Sequence, residues 1–225
     1  MARKDGLKGN RGTPARKKNA AAKHTTARSR SAASSPRRAT KQSAGSKPAR
    51  APSSGQYERG KWAAAFSPRA RGEKRYWLVK SEPSTFSFDD LLRAPNRTTL
   101  WDGVRNFAAR NFLRDGMKLG DRVFFYHSSV DSQGIVGICE VVREGYPDST
   151  ALDPAHPHFD AASDPNAPMW YMVDLRAVAQ FTRPVTLAEM KSRPELAKMA
   201  LIRVGRLSVT PVSDAEWATI VRLAG

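Results

Sequence analysis

RYWLVKSEP, Arg75 to Pro83, gathers aromatic and β-branched side chains into six residues and then stops on Ser-Glu-Pro. That clustering predicts a strand over 75–80, and Pro83, which has no N–H for a sheet ladder, ends it. The stretch also divides the chain. Residues 1–74 hold 20 Lys/Arg against 3 Asp/Glu, whereas residues 75–225 hold 18 of each, so the whole net charge of +17 lies on the N-terminal side. On that side Leu7 and Phe66 are the only members of the Leu/Ile/Val/Phe class. Such a segment buries too little apolar surface to offset ~1 to 2 kcal/mol of backbone ordering per residue, and residues 1–74 therefore read as a disordered basic tail. The 151 residues from 75 to 225 carry the aliphatic and aromatic content and suit one core.

Downstream, Ser87 with Asp90 three residues on forms a capping pattern before Leu91 and Leu92, and Pro95 stops the resulting short helix. Asn106 to Arg114 has helical spacing and closes at Asp115-Gly116, which places Trp101 at its entrance. Residues 121–127 alternate Val123, Phe125 and His127 against Arg122, Phe124 and Tyr126; with 134–143 they predict an antiparallel pair. Residues 146–168 contain five prolines and no periodicity, which marks a long loop. Residues 169–181 form the longest strand candidate, while Thr186-x-x-Glu189 and Ser213-x-x-Glu216 are capping boxes for two further helices. Strands and helices interleave without a βαβ rhythm, so the fold class is α+β with a curled, barrel-like sheet.

Several chemistries are missing from these residues. There is no Gly-rich phosphate loop, paired-histidine helix motif or nucleophile elbow. The single cysteine, Cys139, sits in the apolar run 134–142 and reads as a buried small hydrophobe. His156-x-His158 with Asp153, Asp160 and Asp164 resembles a ligand set, but two of these flanks are Asp-Pro turns in which aspartate bonds its own backbone, and no metal is assigned. No stretch approaches ~18 apolar residues, so no membrane association is expected. The basic clusters at 16–18 and 36–38 fit nuclear import, loose phosphate contact, a transit peptide or a start site assigned too far upstream. A bacterial cytoplasm, with the nucleoid a natural place for a basic tail, is favoured over a eukaryotic nucleus. From periodicity alone, Lys80 and Glu82 read as a surface ion pair and Trp101 as core.

A longer set of motifs carries more. Tyr76 to Pro83, Leu100 to Asn106, Ala109 to Asp115, Phe125 to Ser128, Gly134 to Gly137, Glu140 to Val142, Tyr146-Pro147-Asp148, Trp170 to Val173, Arg183 to Leu187 and Arg206 to Val209 follow one another in the order seen in the EVE domain family. The resemblance spans 75–225 and none of the tail. It implies a PUA-like pseudo β-barrel with flanking helices, and a pocket that receives a nucleobase, such as a methylated or hydroxymethylated cytosine in DNA or RNA. By position the family's pocket motifs fall on Lys80, Ser81 and Glu82, on Trp101, Gly103, Val104, Arg105 and Asn106, and on Tyr126, His127 and Ser128. Relatives with Tyr-Gln have Phe107-Ala108 as their counterpart here. In this reading Trp101 is a stacking plate, Asn106 and Ser81 read the base edge, and Arg105 or Lys80 holds a flanking phosphate. The tail adds nonspecific contact to the phosphate backbone. The implied protein is a non-catalytic reader without a cofactor. An enzyme using His127 with Glu82 or Asp102, and a small-molecule or protein-interaction module, remain as alternatives.

Overall fold

A computed structural model describes residues 60–225. Six strands, β1 (Tyr76–Ser81), β2 (Thr98–Trp101), β3 (Arg122–His127), β4 (Gly134–Pro147), β5 (Tyr171–Thr186) and β6 (Val209–Val212), form one sheet in the order β2-β5-β4-β3-β1-β6. β1 and β3 pair in parallel and the other neighbours are antiparallel. The helices are short: α1 (Ala63–Phe66), α2 (Phe88–Arg93), α3 (Phe107–Asn111), α4 (Leu187–Lys191), α5 (Ala200–Arg203) and α6 (Asp214–Ala224). The α+β class is as the sequence implied. None of the helices among the described residues is long and apolar enough to cross a membrane.

The sheet is strongly curled. β2 and β3 are three strand spacings apart, about 14 Å in a flat sheet. Yet the Trp101 ring meets the Phe125 ring edge-on with centroids 5.4 Å apart. Repeated register shifts along β4 and β5 supply the bend, since each extra residue turns the strand that carries it. One face encloses a cluster drawn from all six strands, including Val79, Trp101, Phe125, Val141, Leu175 and Val209. Alternate residues such as Leu78, Phe124 and Tyr126 point the other way, into a second cluster closed by α4 and α6 through Met190 and Ile220. Period-2 strands buried on both sides explain why 121–127 and 134–143 carry so few polar positions.

Local signals act where the residues place them. Ser87 accepts the Asp90 N–H, and Asp90 returns a bond to the Ser87 N–H, starting α2. Ser213 and Glu216 do the same for α6. At α4 only half of the expected box forms. Thr186 accepts the Glu189 N–H, but the Glu189 carboxylate turns to Arg183 at 2.8 Å instead. Past Asn111 the chain widens into a π turn over Phe112–Gly116, so the helical run expected to Arg114 changes pitch after α3. β2, which the sequence pattern did not single out, forms the sheet edge beside β5. Cys139 is buried with a free thiol.

Residues 60–74, read from the sequence as part of the tail, pack onto the segment that follows. Trp62, which precedes α1, and Phe66, its last residue, meet Phe112 with ring centroids 5.5 Å apart in each case. Arg69 grips the buried Asp121 carboxylate at 2.5 and 2.7 Å. Asp121 also accepts the Arg75 N–H, the Trp77 indole N–H and the Lys118 N–H. Buried Ala65 adds to these contacts, and Arg75 donates to the Ala65 and Ser67 carbonyls, so a segment poor in aliphatics is held by partners that are already buried. The remainder of the tail, residues 1–59, lies outside the described residues.

Candidate functional site

At the end of β1 the chain leaves the sheet, and the space beside it is a cavity of about 610 Å³. That volume falls within the ~300–1,000 Å³ of small-ligand pockets. β1 and the loop after it contribute Lys80, Ser81, Glu82, Thr85 and Phe86; β2 and its following turn contribute Thr99 to Arg105; His158 and Ser208 complete the wall. Seven of the residues named from the sequence meet here: Lys80, Ser81, Glu82, Trp101, Gly103, Val104 and Arg105.

Trp101 has two roles in its surroundings. Only 8% exposed, it belongs to the core through Phe125, and what remains open faces the cavity. Gly103 sits at φ +70°, in the left-handed region, and a Cβ there would run into the His158 ring. Glycine is therefore required twice, by backbone conformation and by the approach of the long loop.

Arg105 holds that arrangement together. Its Nη1 donates to the buried Asp148 carboxylate at 2.7 Å, its Nη2 reaches Thr150 Oγ1 at 3.3 Å, and its Nε donates to the His158 carbonyl at 3.0 Å. Asp148 in turn accepts the Gly103 N–H at 3.1 Å and both the N–H and hydroxyl of Thr150. A guanidinium so occupied is a clamp between the cavity wall and the 148–158 loop. Lys80 is a second cation of the wall. Its Nζ donates to the Gly205 carbonyl at 2.6 Å, and half-burial pushes its ammonium below the ordinary lysine range. It does not pair with Glu82, whose carboxylate accepts the Ser129 hydroxyl at 2.8 Å. The surface ion pair read from proximity is absent among the described residues.

The other four expected site residues are not in the wall. The Asn106 side-chain oxygen accepts the N–H groups of Ala108 and Ala109, capping α3. Tyr126 points into the second core, its hydroxyl donating to Gln133 at 3.0 Å, and burial raises its pKa to about 12. His127 Nε2 accepts the Phe88 N–H at 3.1 Å, which requires a neutral ring; burial lowers its pKa against the opposing pull of Asp89. Ser128 donates to the Ser81 carbonyl. His127 and Ser128 thus brace α2 and the end of β1, while Asn106 starts α3 and Tyr126 is tied to Gln133. Phe86, Thr85, Thr99, Leu100 and Ser208 line it without having been named as site residues, and so does His158, which the sequence offered only within a metal-ligand set. His158 and Ser208 each reach the site from a distant part of the chain, for which no local pattern exists.

Among the described residues no group of three or more His, Cys, Asp or Glu side chains gathers as metal ligands. The His156 and His158 rings lie 5.3 Å apart, and Asp160 is taken up by the Trp170 indole N–H at 2.6 Å.

Comparison with known proteins places this geometry. A family model described as EVE domain matches residues 75–223. Thymocyte nuclear protein 1 of Gallus gallus is 39% identical over 196 residues, covering 76% of this chain and 81% of its own length. The Homo sapiens protein of that name is 41% identical over 165 residues, covering 66% of this chain and 73% of its own. Among solved structures, a hypothetical protein from Leishmania major is similar with a TM-score of 0.66 and 49% identity, over 69% of this chain and 97% of that one. Human THYN1 protein in complex with 5-methylcytosine containing DNA is similar with a TM-score of 0.65 and 40% identity, over 67% of this chain and 98% of that one.

Proposed function

We propose, from the premise that this chain belongs to the EVE domain family, that the cavity at the end of β1 captures a modified nucleobase and releases it unchanged. The observation that carries this reading is the cavity itself: an aromatic wall at Trp101 and Phe86, a polar rim at Ser81, Thr99 and Ser208, and one half-buried cation, Lys80. A base must leave its stack to enter, at a cost of a few kcal/mol in a duplex, and stacking on an aromatic ring returns roughly 1 to 3 kcal/mol. The similarity to a human protein solved with 5-methylcytosine containing DNA supports DNA carrying that base as the first ligand to try.

A methyl group alone contributes ~0.8 kcal/mol, about fourfold at 1.4 kcal/mol per decade, so sharp selectivity needs polar contacts to the base edge as well. No proton-transfer step is assigned. His127 lies behind the wall with its Nε2 lone pair on the Phe88 N–H, which favours the reader over the enzymatic alternative that used it as a base.

Binding of the full chain to matched oligonucleotides carrying cytosine, 5-methylcytosine, 5-hydroxymethylcytosine or methyladenine, at one salt concentration, tests the proposal. One modification is expected to bind at least fourfold tighter than its unmodified match, and Trp101→Phe, which keeps most of the packing while reducing the plate, is expected to erode that preference. Flat binding across all four ligands, or mass spectrometry showing altered bases after incubation, rejects the reader.

A further inference from the structure

A second aromatic lies on the surface beside this cavity. Phe107 is 58% exposed, although large aromatics normally find cover. It is nevertheless held in place. Its ring stacks on Trp170 with centroids 5.1 Å apart and planes 24° from parallel, and the Arg110 guanidinium lies 5.1 Å from its centroid. Trp170 is 6% exposed, anchored through its indole N–H to Asp160, and has the Arg105 guanidinium 5.5 Å from its ring. Arg105, Trp170, Phe107 and Arg110 thus form a continuous run of cation and ring contacts that begins in the cavity wall.

Proximity follows from the chain itself. Phe107 is two residues beyond Arg105, so their Cα atoms are about 7 Å apart in the extended segment that joins them. When a base leaves its stack to enter the cavity, the base next to it is left with a bare face. From these contacts we infer that Phe107 is a stacking platform for the nucleobase flanking the captured one, so that the site reads at least two nucleotides. The inference rests on the base-capture reading. Immobilisation on Trp170 favours it, because a ring already held in place loses little freedom on binding. Exposed Leu100 on β2, 51% accessible and part of the cavity wall, adds apolar surface to the same site.

The test uses the full chain with a pentanucleotide carrying 5-methylcytosine at its centre, and the same pentanucleotide with an abasic site 5′ or 3′ of that base. Wild type is expected to bind one abasic version about fivefold to fiftyfold more weakly than the intact one. Phe107→Ala is expected to bind the intact ligand as weakly and to show no further loss on the abasic one, while Phe107→Tyr restores binding. The ratio of methylated to unmethylated affinity should be unchanged in Phe107→Ala, which separates this platform from the cavity. Equal binding of all three ligands by wild type overturns the inference even if methylation preference survives. A shift in sedimentation coefficient with Phe107→Ala also overturns it, identifying the patch as a contact between copies. If Phe107 and the flanking base remain coupled but methylation preference is absent, the choice of a modified base fails while capture of a base with its neighbour on Phe107 stands.

Discussion

Asp148 shows how one buried carboxylate can set the shape of a cavity it does not line. Its side chain is fully buried, and it holds the Gly103 N–H, the Arg105 guanidinium and both donors of Thr150 at once. Burial alone would raise its pKa. The bonds from Thr150 and Arg105 outweigh that effect and hold the carboxyl below its ordinary value. A carboxyl depressed in the folded chain contributes stability that is fully present above its unfolded value of ~3.9 and is lost as pH falls through the lower folded value. Asp148→Asn is therefore expected to destabilise the protein by about 3 kcal/mol or more near neutral pH, because Arg105 is left without its counter-charge. The difference between variant and wild type should shrink below about pH 4, where wild type loses the same charge. Urea unfolding at pH 7 and pH 3 measures both; a difference independent of pH would sink this account. Weakened ligand binding should accompany the loss at pH 7, since the wall at Gly103 and the loop at His158 are no longer held together.

At the scale of elements, the seating of α2 on the sheet depends on Gly137. Phe88, the first residue of α2, is almost fully buried against Phe125, with ring centroids 5.3 Å apart. A Cβ on Gly137 would lie 2.5 Å from Phe88 Cζ and 2.7 Å from the Ala179 carbonyl oxygen. The ring could turn aside, but a backbone oxygen in a sheet ladder cannot. Gly137→Ala is expected to cost about 1 to 3 kcal/mol, measured by thermal or chemical unfolding, and to loosen the His127 bond to the Phe88 N–H that starts the same helix. Stability equal to wild type would mean that β4 absorbs the methyl by shifting at its bulge. Sequence patterning found α2 through its capping box, and Gly137 through its place in an apolar run. That one must be bare for the other to pack is a contact between elements 49 positions apart, for which no local pattern exists.

For the whole molecule, the relevant division is between residues 1–59 and 60–225. The described part carries 22 Lys/Arg and 19 Asp/Glu, and residues 1–59 carry 16 against 2. Chains beginning at Gly60 and at Arg75 separate stability from charge. Starting at Arg75 removes Arg69 from the buried Asp121 carboxylate and the Trp62 and Phe66 rings from Phe112, so a loss of about 3 to 5 kcal/mol is expected relative to the chain starting at Gly60. Starting at Gly60 should leave unfolding unchanged but flatten the dependence of oligonucleotide affinity on salt, because counterion release scales with the phosphates neutralised. An unchanged salt slope in the chain from Gly60 would show that residues 1–59 make no phosphate contacts, and equal stability of the two truncations would deny 60–74 its place in the fold.

Sequence alone determined what depends on neighbours along the chain. The α+β class, a strand beginning near residue 75, the antiparallel pair of β3 and β4 and the helix starts at Ser87 and Ser213 follow from periodicity and capping, which act over a few residues at a time, and the resemblance to the EVE family was legible as short motifs in order. The tertiary structure decided what depends on closure. Curling of the sheet brings Trp101 of one edge against Phe125 near the middle, making it both core and wall. The 148–158 loop engages the Arg105 guanidinium and carries His158 into the site. Asn106 Oδ1, the Tyr126 hydroxyl, His127 Nε2 and the Ser128 hydroxyl each bond within the scaffold, contacts that no local pattern announces. Residues 60–74, basic and poor in aliphatics, are ordered because a few of their side chains meet partners that the rest of the chain has already buried.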